Sequence, residues 1–268
     1  MFYHSGGDKL FYTTLGKGPS VVLLHPTPVD HRFLLPLAGM LSSRYQVIIP
    51  DLRAHGQSET GEGPVTMEKL GADAVRLLDS LDLGAAIFAG CSIGGYTLYQ
   101  LWRTAPDRVR ALAFCCSRPQ PDNEQAKAKR QENIDTIRQR GSADFIESTL
   151  QTVIGPTARS RWPQKVGEAR EMMQAVAPAA LIAIQQGLAS RPDSVPTSRT
   201  IRVPCCVIAG GEDPGSPPAD MRLLAEQIRN GGYGAEYHEI PDAGHFAPFE
   251  QPEVVGRILR RFFDSVVD

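Results

Sequence analysis

The sequence predicts a doubly wound α/β fold, and three observations carry that prediction. Five short runs are almost continuously apolar: "SVVLLHP" (20–26), "YQVIIPD" (45–51), "AAIFAG" (85–90), "VRALAFCC" (109–116) and "VPCCVIAGG" (203–211). Such runs suit parallel strands covered on both faces. Stretches of helical period alternate with them, among them "MEKLGADAVRLLDSLDL" (67–83) and "YTLYQLWRTAPD" (96–107), the rhythm of βα units. The chain has 268 residues, of which 42% are hydrophobic and 22% charged, enough for one large domain with a sizeable core.

In chain order, "KLFYTTLGKGPS" (9–20) predicts an edge strand and a turn into the first buried strand. "GAEYHEIP" (234–241) predicts the last strand, and "PEVVGRILRRFFDSV" (252–266) a closing amphipathic helix. One region breaks the alternation. Between Arg118 and Thr200 there is no strand run, only helical stretches such as "NEQAKAKRQENIDTIRQRG" and "QKVGEAREMMQAVAPAALIAIQQGLA". The expected organisation is a sheet core of residues 1–117 and 201–268 with a helical insertion at 118–200.

A net charge of −2 gives no reason to expect nucleic acid or an acidic membrane surface as partner. The segment "MFYHSGGDKL" lacks a basic region followed by an apolar run, so no signal peptide is expected. No window approaches the roughly 18 apolar residues of a membrane helix. The cysteines, Cys91, Cys115, Cys116, Cys205 and Cys206, are odd in number, and two adjacent pairs make no disulfide framework. They show no C-x-x-C metal spacing either, so a reducing cytoplasm and no metal are expected.

"FAGCSIGGY" (88–96) holds the chemistry-bearing turn. Gly90-Cys91-Ser92-Ile93-Gly94 fits G-x-S-x-G between a strand and a helix. The nucleophile of such a turn needs small residues two before and two after it, because those positions approach each other closely. Centred on Ser92, they are Gly90 and Gly94; centred on Cys91, they are Ala89 and the bulky Ile93. Ser92 is therefore the candidate nucleophile and Cys91 a small apolar neighbour.

A serine hydroxyl needs a base. Of the six histidines, His245 lies in "PDAGHFAPFEQPE", after the last strand and before the last helix. His238 falls inside that strand run and reads as structural; His4 lies near the start of the chain. The acid that orients the base is sought after a buried strand, and "CVIAGGEDPGSPP" offers Asp213, with Glu212 adjacent and Asp242 as a rival close to His245. An oxyanion hole needs main-chain N–H donors. Ile93 supplies one at the turn. In "LLHPTPVD" Pro26 and Pro28 have no N–H, which leaves Thr27 as the second.

Together "VVLLHPTP", "VIIPDLRAHGQS", "GCSIGG", "VIAGGEDPGSPP" and "IPDAGHFAPFEQP" follow the order and spacing of α/β-hydrolase fold proteins, and the chain resembles that family over nearly its whole length. Within the family it looks most similar to β-ketoadipate enol-lactonase-like esterases and lactonases. The resemblance implies a mostly parallel, eight-stranded-type sheet with helices on both faces and a helical lid. It implies Ser92, Asp213 and His245 as a catalytic triad, Thr27 and Ile93 as oxyanion donors, no cofactor, and hydrolysis of a small ester or lactone through an acyl-enzyme. The chain departs from the commoner pattern at Pro26, where many relatives have glycine. "DLRAHGQS" resembles the family's structural turn, so His55 is expected to pack rather than react. Trp162 and Phe246 are the expected substrate-pocket residues. Met172, Met173, Leu181 and Ile184 are divided between pocket and lid core, and Arg159 and Arg161 between binding a substrate carboxylate and plain solvation. A ligand receptor built on this fold, a C–C bond hydrolase and a cofactor-free haloperoxidase would carry the same serine triad and stay open, as do the natural substrate and the oligomeric state.

Overall fold

A computed structural model describes residues 1–267; Asp268, the last residue of the expected core segment, lies outside the described residues. Eight strands form one sheet in the order β1-β2-β4-β3-β5-β6-β7-β8. They are β1 (Phe2–Ser5), β2 (Asp8–Leu15), β3 (Ser20–Leu24), β4 (Gln46–Pro50), β5 (Ala86–Cys91), β6 (Val109–Cys115), β7 (Cys205–Gly210) and β8 (Ala235–Ile240). Strands β3 to β8 run parallel, and β1 and β2 are antiparallel at one edge. The five apolar runs became the five consecutive strands β3 to β7. In β5 and β7 every residue is buried, as sheets covered on both faces require.

The hairpin at the edge differs from the single strand expected at 9–20. Phe2–Ser5 pairs back on Asp8–Phe11, and Gly6 and Gly7 form the two-residue turn at φ +59° and +93°. Only glycine adopts such angles readily at two consecutive positions, which is why Gly-Gly closes hairpins of this kind. His4 thus sits in a paired strand, opposite Lys9.

Helices α1 (Leu35–Leu41), α2 (Met67–Ser80) and α3 (Ile93–Thr104) connect the first strands. Between β6 and β7 run α4 (Glu124–Arg140), α5 (Ala143–Val153), α6 (Pro156–Arg161), α7 (Pro163–Gln174), α8 (Pro178–Ala189) and α9 (Val195–Ser198), followed after β7 by α10 (Pro218–Asn230), and after β8 by α11 (Ala247–Glu250) and α12 (Pro252–Val267). Helices α2, α3, α9 and α10 form one layer on the sheet, and α1, α11 and α12 the other. Proline is the first residue of α6, α7, α8, α10 and α12, where its missing N–H costs nothing. Pro178 also divides the long helical stretch 164–189 into two helices that meet at 95°. Among the described residues, no single helix is long and apolar enough to cross a membrane.

The strand order reverses direction between β3 and β5, so the loops leaving their carboxyl ends diverge there and open a crevice. Thr27 follows β3, Ser92 follows β5, Asp213 follows β7 and His245 follows β8. The fold therefore delivers all four to one edge of the sheet.

Candidate active site

Ser92 stands at the junction of β5 and α3 with φ 52° and ψ −118°. A non-glycine residue held there stores on the order of 1–3 kcal/mol of backbone strain, which persists only where its surroundings fix it. Here they do. A Cβ on Gly90 would lie 2.4 Å from the Gly94 carbonyl carbon, and one on Gly94 would lie 2.4 Å from the Leu24 carbonyl oxygen. The turn closes only with glycine at both positions. The Ser92 N–H donates to the Cys115 carbonyl at 3.1 Å, and the Ser117 hydroxyl donates to the Ser92 carbonyl at 2.9 Å. The Cys91 side chain faces another way, bordering a small apolar void with Leu34, Leu37 and Leu259. Burial pushes its thiol pKa well up, so it holds its proton at neutral pH.

His245 and Asp213 meet at 2.7 Å, Nδ1 to Oδ2. Asp213 is buried, and its Oδ1 accepts from the Gly215 N–H at 2.8 Å. Burial opposes the Asp213 charge, but the His245 charge and hydrogen bond, with the Ser216 and Gly215 amides, outweigh it and lower the carboxyl pKa. For His245, burial disfavours the imidazolium, yet the Asp213 charge and hydrogen bond and the Glu250 charge prevail, and the pKa lies above the ordinary histidine value. The rivals are occupied elsewhere. Glu212 accepts from Thr157, Asp242 is exposed and pairs with Arg161, and His238 pairs with Glu236.

Thr27 is fixed from the side by His55, whose Nε2 lies 2.8 Å from the Thr27 hydroxyl. Burial, reinforced by His25, drives the His55 pKa down to about 3, so this ring is neutral. Asp51 accepts from the His31 and Gln57 amides, and Gly56 sits against its carboxylate at φ +51°. Residues 51–58 thus form a rigid turn that supports the β3 loop. Ile93, the first residue of α3, is buried, and its N–H is one of the first-turn amides that have no partner within a helix.

Ser92, His245, Thr27, Pro28 and Gly215 line one cavity of about 290 Å³. Its far wall comes from α4, α5 and α8 through Arg130, Phe145, Thr149, Gln185 and Leu188. Trp162 and Phe246 are not among its lining residues. Phe246 is fully buried with its ring 4.9 Å from that of Phe33, and Trp162 lies between α6 and α7 with Lys165 over its ring. The ring next to His245 in sequence faces the core here, where α11 begins immediately after it. Met172, Met173, Leu181 and Ile184 are likewise buried and absent from the lining. Arg159 is spent on the Gln151 and Ile154 carbonyls and Arg161 on Asp242.

The cavity instead carries three arginines that sequence reasoning missed. Arg130 and Arg191 converge on the buried Asp122, and Arg191 lies 4.4 Å over the Tyr96 ring. Burial would raise the Asp122 pKa, but the two guanidinium groups lower it. Arg118 is the third, 3.7 Å from the half-exposed Asp220. With two carboxylates, Asp122 and Asp220, against three guanidinium groups, the cavity wall keeps a net positive charge.

The model of the Alpha/beta hydrolase family matches residues 21–258, and the chain belongs to that family. It is 27% identical over 267 residues to 3-oxoadipate enol-lactonase 2 of Acinetobacter baylyi, covering 94% of each chain. It is 30% identical over 259 residues to the pimeloyl-[acyl-carrier protein] methyl ester esterase of Xanthomonas campestris pv. campestris, covering 92% of this chain and 96% of the relative. Among solved structures, a thermophilic esterase from Thermogutta terrifontis superposes with a TM-score of 0.94 at 29% identity, covering 100% of this chain and 99% of that one.

Proposed function

We propose that this protein is a serine hydrolase that cleaves a carboxylic ester or lactone through an acyl-enzyme, with Ser92 as nucleophile, His245 as general base and Asp213 as its orienting acid. The observation that carries this reading is the 2.7 Å bond between His245 Nδ1 and Asp213, made by a histidine that lines one cavity with Ser92. That bond leaves Nε2 as the ring nitrogen able to take a proton. Relatives named as an enol-lactonase and a methyl ester esterase support the same reaction class.

In the proposed cycle His245 Nε2 takes the Ser92 proton as Oγ attacks the carbonyl carbon. The oxyanion that forms is held by the Ile93 and Thr27 amides. Asp213 stabilises the imidazolium without itself taking the proton. His245 then protonates the leaving alkoxide, and water repeats the sequence on the acyl-Ser92 ester. Residues 118–200 act as a cap over the core segments 1–117 and 201–268. The cationic cap wall favours an ester that also carries an anionic group, with Arg118 and Arg130 as its contacts. The reducing cytoplasm expected from the cysteines remains part of this proposal.

Turnover of p-nitrophenyl acetate and of a small γ-lactone tests the reading. Wild type is expected to hydrolyse both, and Ser92→Ala and His245→Ala neither. Turnover that survives either substitution overturns it.

A further inference from the structure

We propose that Glu250 is a positioning residue: it fixes the loop of the catalytic histidine to the helical cap by holding the main-chain amides on both sides of His245. This rests on His245 being the base.

Glu250 is 1% exposed at the end of α11, yet its carboxylate is fully used. Its Oε2 accepts from the Gly244 N–H at 2.9 Å and from the Gly155 N–H at 3.1 Å, and its Oε1 accepts from the Phe246 N–H at 3.1 Å. Gly244 and Phe246 flank His245, and Gly155 immediately precedes α6 in the cap. One side chain therefore grips the histidine's backbone and the cap together. The two loops meet back to back. A Cβ on Gly244 would lie 2.4 Å from the Gly155 nitrogen, and a Cβ on Gly155 would lie 2.7 Å from the Gly244 nitrogen.

The acid of the site has a parallel tether. Glu212, next to Asp213, accepts from the Thr157 N–H at 3.0 Å and from its hydroxyl at 2.5 Å. Both catalytic loops are thus tied by adjacent carboxylates to the same cap segment, 155–157. A third tie runs from the Lys165 ammonium on α7 to the Phe249 and Glu250 carbonyls, at 2.7 and 3.1 Å.

The charge of Glu250 matters as well as its bonds. The groups that face it are Glu212, His245, Cys91 and Lys165. Burial pushes its carboxyl up to about 6, against the pull of the three amides and with the help of Glu212. An anion there favours the imidazolium that forms as Ser92 is deprotonated. As the pH falls through about 6, Glu250 takes up a proton and loses both its charge and the acceptor lone pair that the proton occupies. Acid then removes activity by two protonations, one on His245 and one on Glu250.

The test is the pH dependence of kcat/KM for p-nitrophenyl acetate, a neutral ester, in wild type and Glu250→Gln. Wild-type activity is expected to fall from a midpoint above the ordinary histidine pKa, with a logarithmic slope that steepens beyond one as the pH drops below about 6. Glu250→Gln should show a slope of one and a kcat lower by about a hundred-fold, the usual effect of a misplaced catalytic group. Gly155→Ala changes neither acid but places a Cβ 2.3 Å from the Glu212 carboxylate, 2.7 Å from the Gly244 nitrogen and 3.0 Å from the Glu250 carboxylate, so it loosens both tethers and should lower kcat in the same direction. A slope of one in wild type overturns the proposal even if no variant folds, and so does a kcat within twofold of wild type in Glu250→Gln. His245→Ala separates this idea from the one beneath it. If that variant keeps its activity, the base assignment fails. If it is inert while Glu250→Gln behaves as wild type, only the positioning role fails.

Discussion

Gly90→Ala tests the elbow geometry where the structure is tightest. Gly90 has an ordinary backbone conformation, so alanine meets no torsional penalty, and the whole effect comes from contact. Its Cβ would lie 2.4 Å from the Gly94 carbonyl carbon, 2.5 Å from the oxygen and 2.6 Å from the Gly95 nitrogen, whereas ordinary contact begins at 3.4 Å. The difference, 3.4 − 2.4 = 1.0 Å, must be taken up by moving the first turn of α3 away from β5. Ser92 lies between them. Overpacking of this size costs about 1–3 kcal/mol, or roughly 2–12 °C in Tm at about 2–4 °C per kcal/mol for a chain of this length. A nucleophile displaced by about 1 Å loses about a hundred-fold in rate. Steady-state hydrolysis of p-nitrophenyl acetate and a thermal melt measure both. Gly39→Ala is the control: Gly39 is exposed on α1 with nothing within 4 Å of its Cβ position, so kcat should hold and the helix gain up to about 1 kcal/mol. A Gly90→Ala enzyme with wild-type kcat and Tm would refute the steric account of the turn.

Other expectations follow from the same geometry. Cys91→Ala should keep near wild-type turnover, and native Cys91 should resist iodoacetamide, because the thiol is buried and its pKa is raised; rapid alkylation with loss of activity would contradict this. The activity of wild type should fall with acid from a midpoint above the ordinary histidine pKa. The sign follows from Asp213 and Glu250 favouring the imidazolium, which cannot accept the Ser92 proton, so activity is present above the raised pKa and lost below it. Arg118→Ala should raise KM about tenfold for the monoanionic half-ester of a dicarboxylic acid, the scale of one charged hydrogen bond, and leave the neutral diester unchanged; equal effects on both would remove the anion-binding role. Asp213→Asn should lower kcat by about 10⁴-fold, the loss associated with a histidine held in the wrong tautomer, measured with the same ester.

The sheet was readable because its interior strands are buried on both faces and advertise this as unbroken apolar runs. Strand ends moved by only a residue or two. The β1–β2 hairpin was missed although Gly6-Gly7 between Ser5 and Asp8 is a two-residue turn signal, since one of its flanking strands is only four residues long. That the turn centres on Ser92 and not on Cys91 was readable because sterics at Gly90 and Gly94 are local and leave a local trace. The pairing of Asp213 with His245, 32 positions apart, was inferred from fold order, and the side chains lie at bonding distance. The pocket was not readable. Arg130 sits in a run of charged helix that looks like any solvated face, and its role emerges only when α4 packs on α8 and brings it to Asp122 and Gln185. Trp162 and Phe246 looked suitable by size and neighbourhood, but which way a ring points depends on its packing partners: Phe246 turns onto Phe33, far away in sequence, and Trp162 lies under Lys165, one helical turn on. Glu250 was invisible for the same reason: its three donors are main-chain amides that carry no residue signature.

The central claim is that Ser92 is the nucleophile, made reactive by His245. Incubation with a fluorophosphonate, followed by intact mass and peptide mapping, tests it most directly. The account predicts one adduct per chain, on Ser92, formed in step with loss of esterase activity, absent in Ser92→Ala and strongly slowed in His245→Ala. An adduct on another residue, or an enzyme that still hydrolyses esters once Ser92 is blocked, would contradict it.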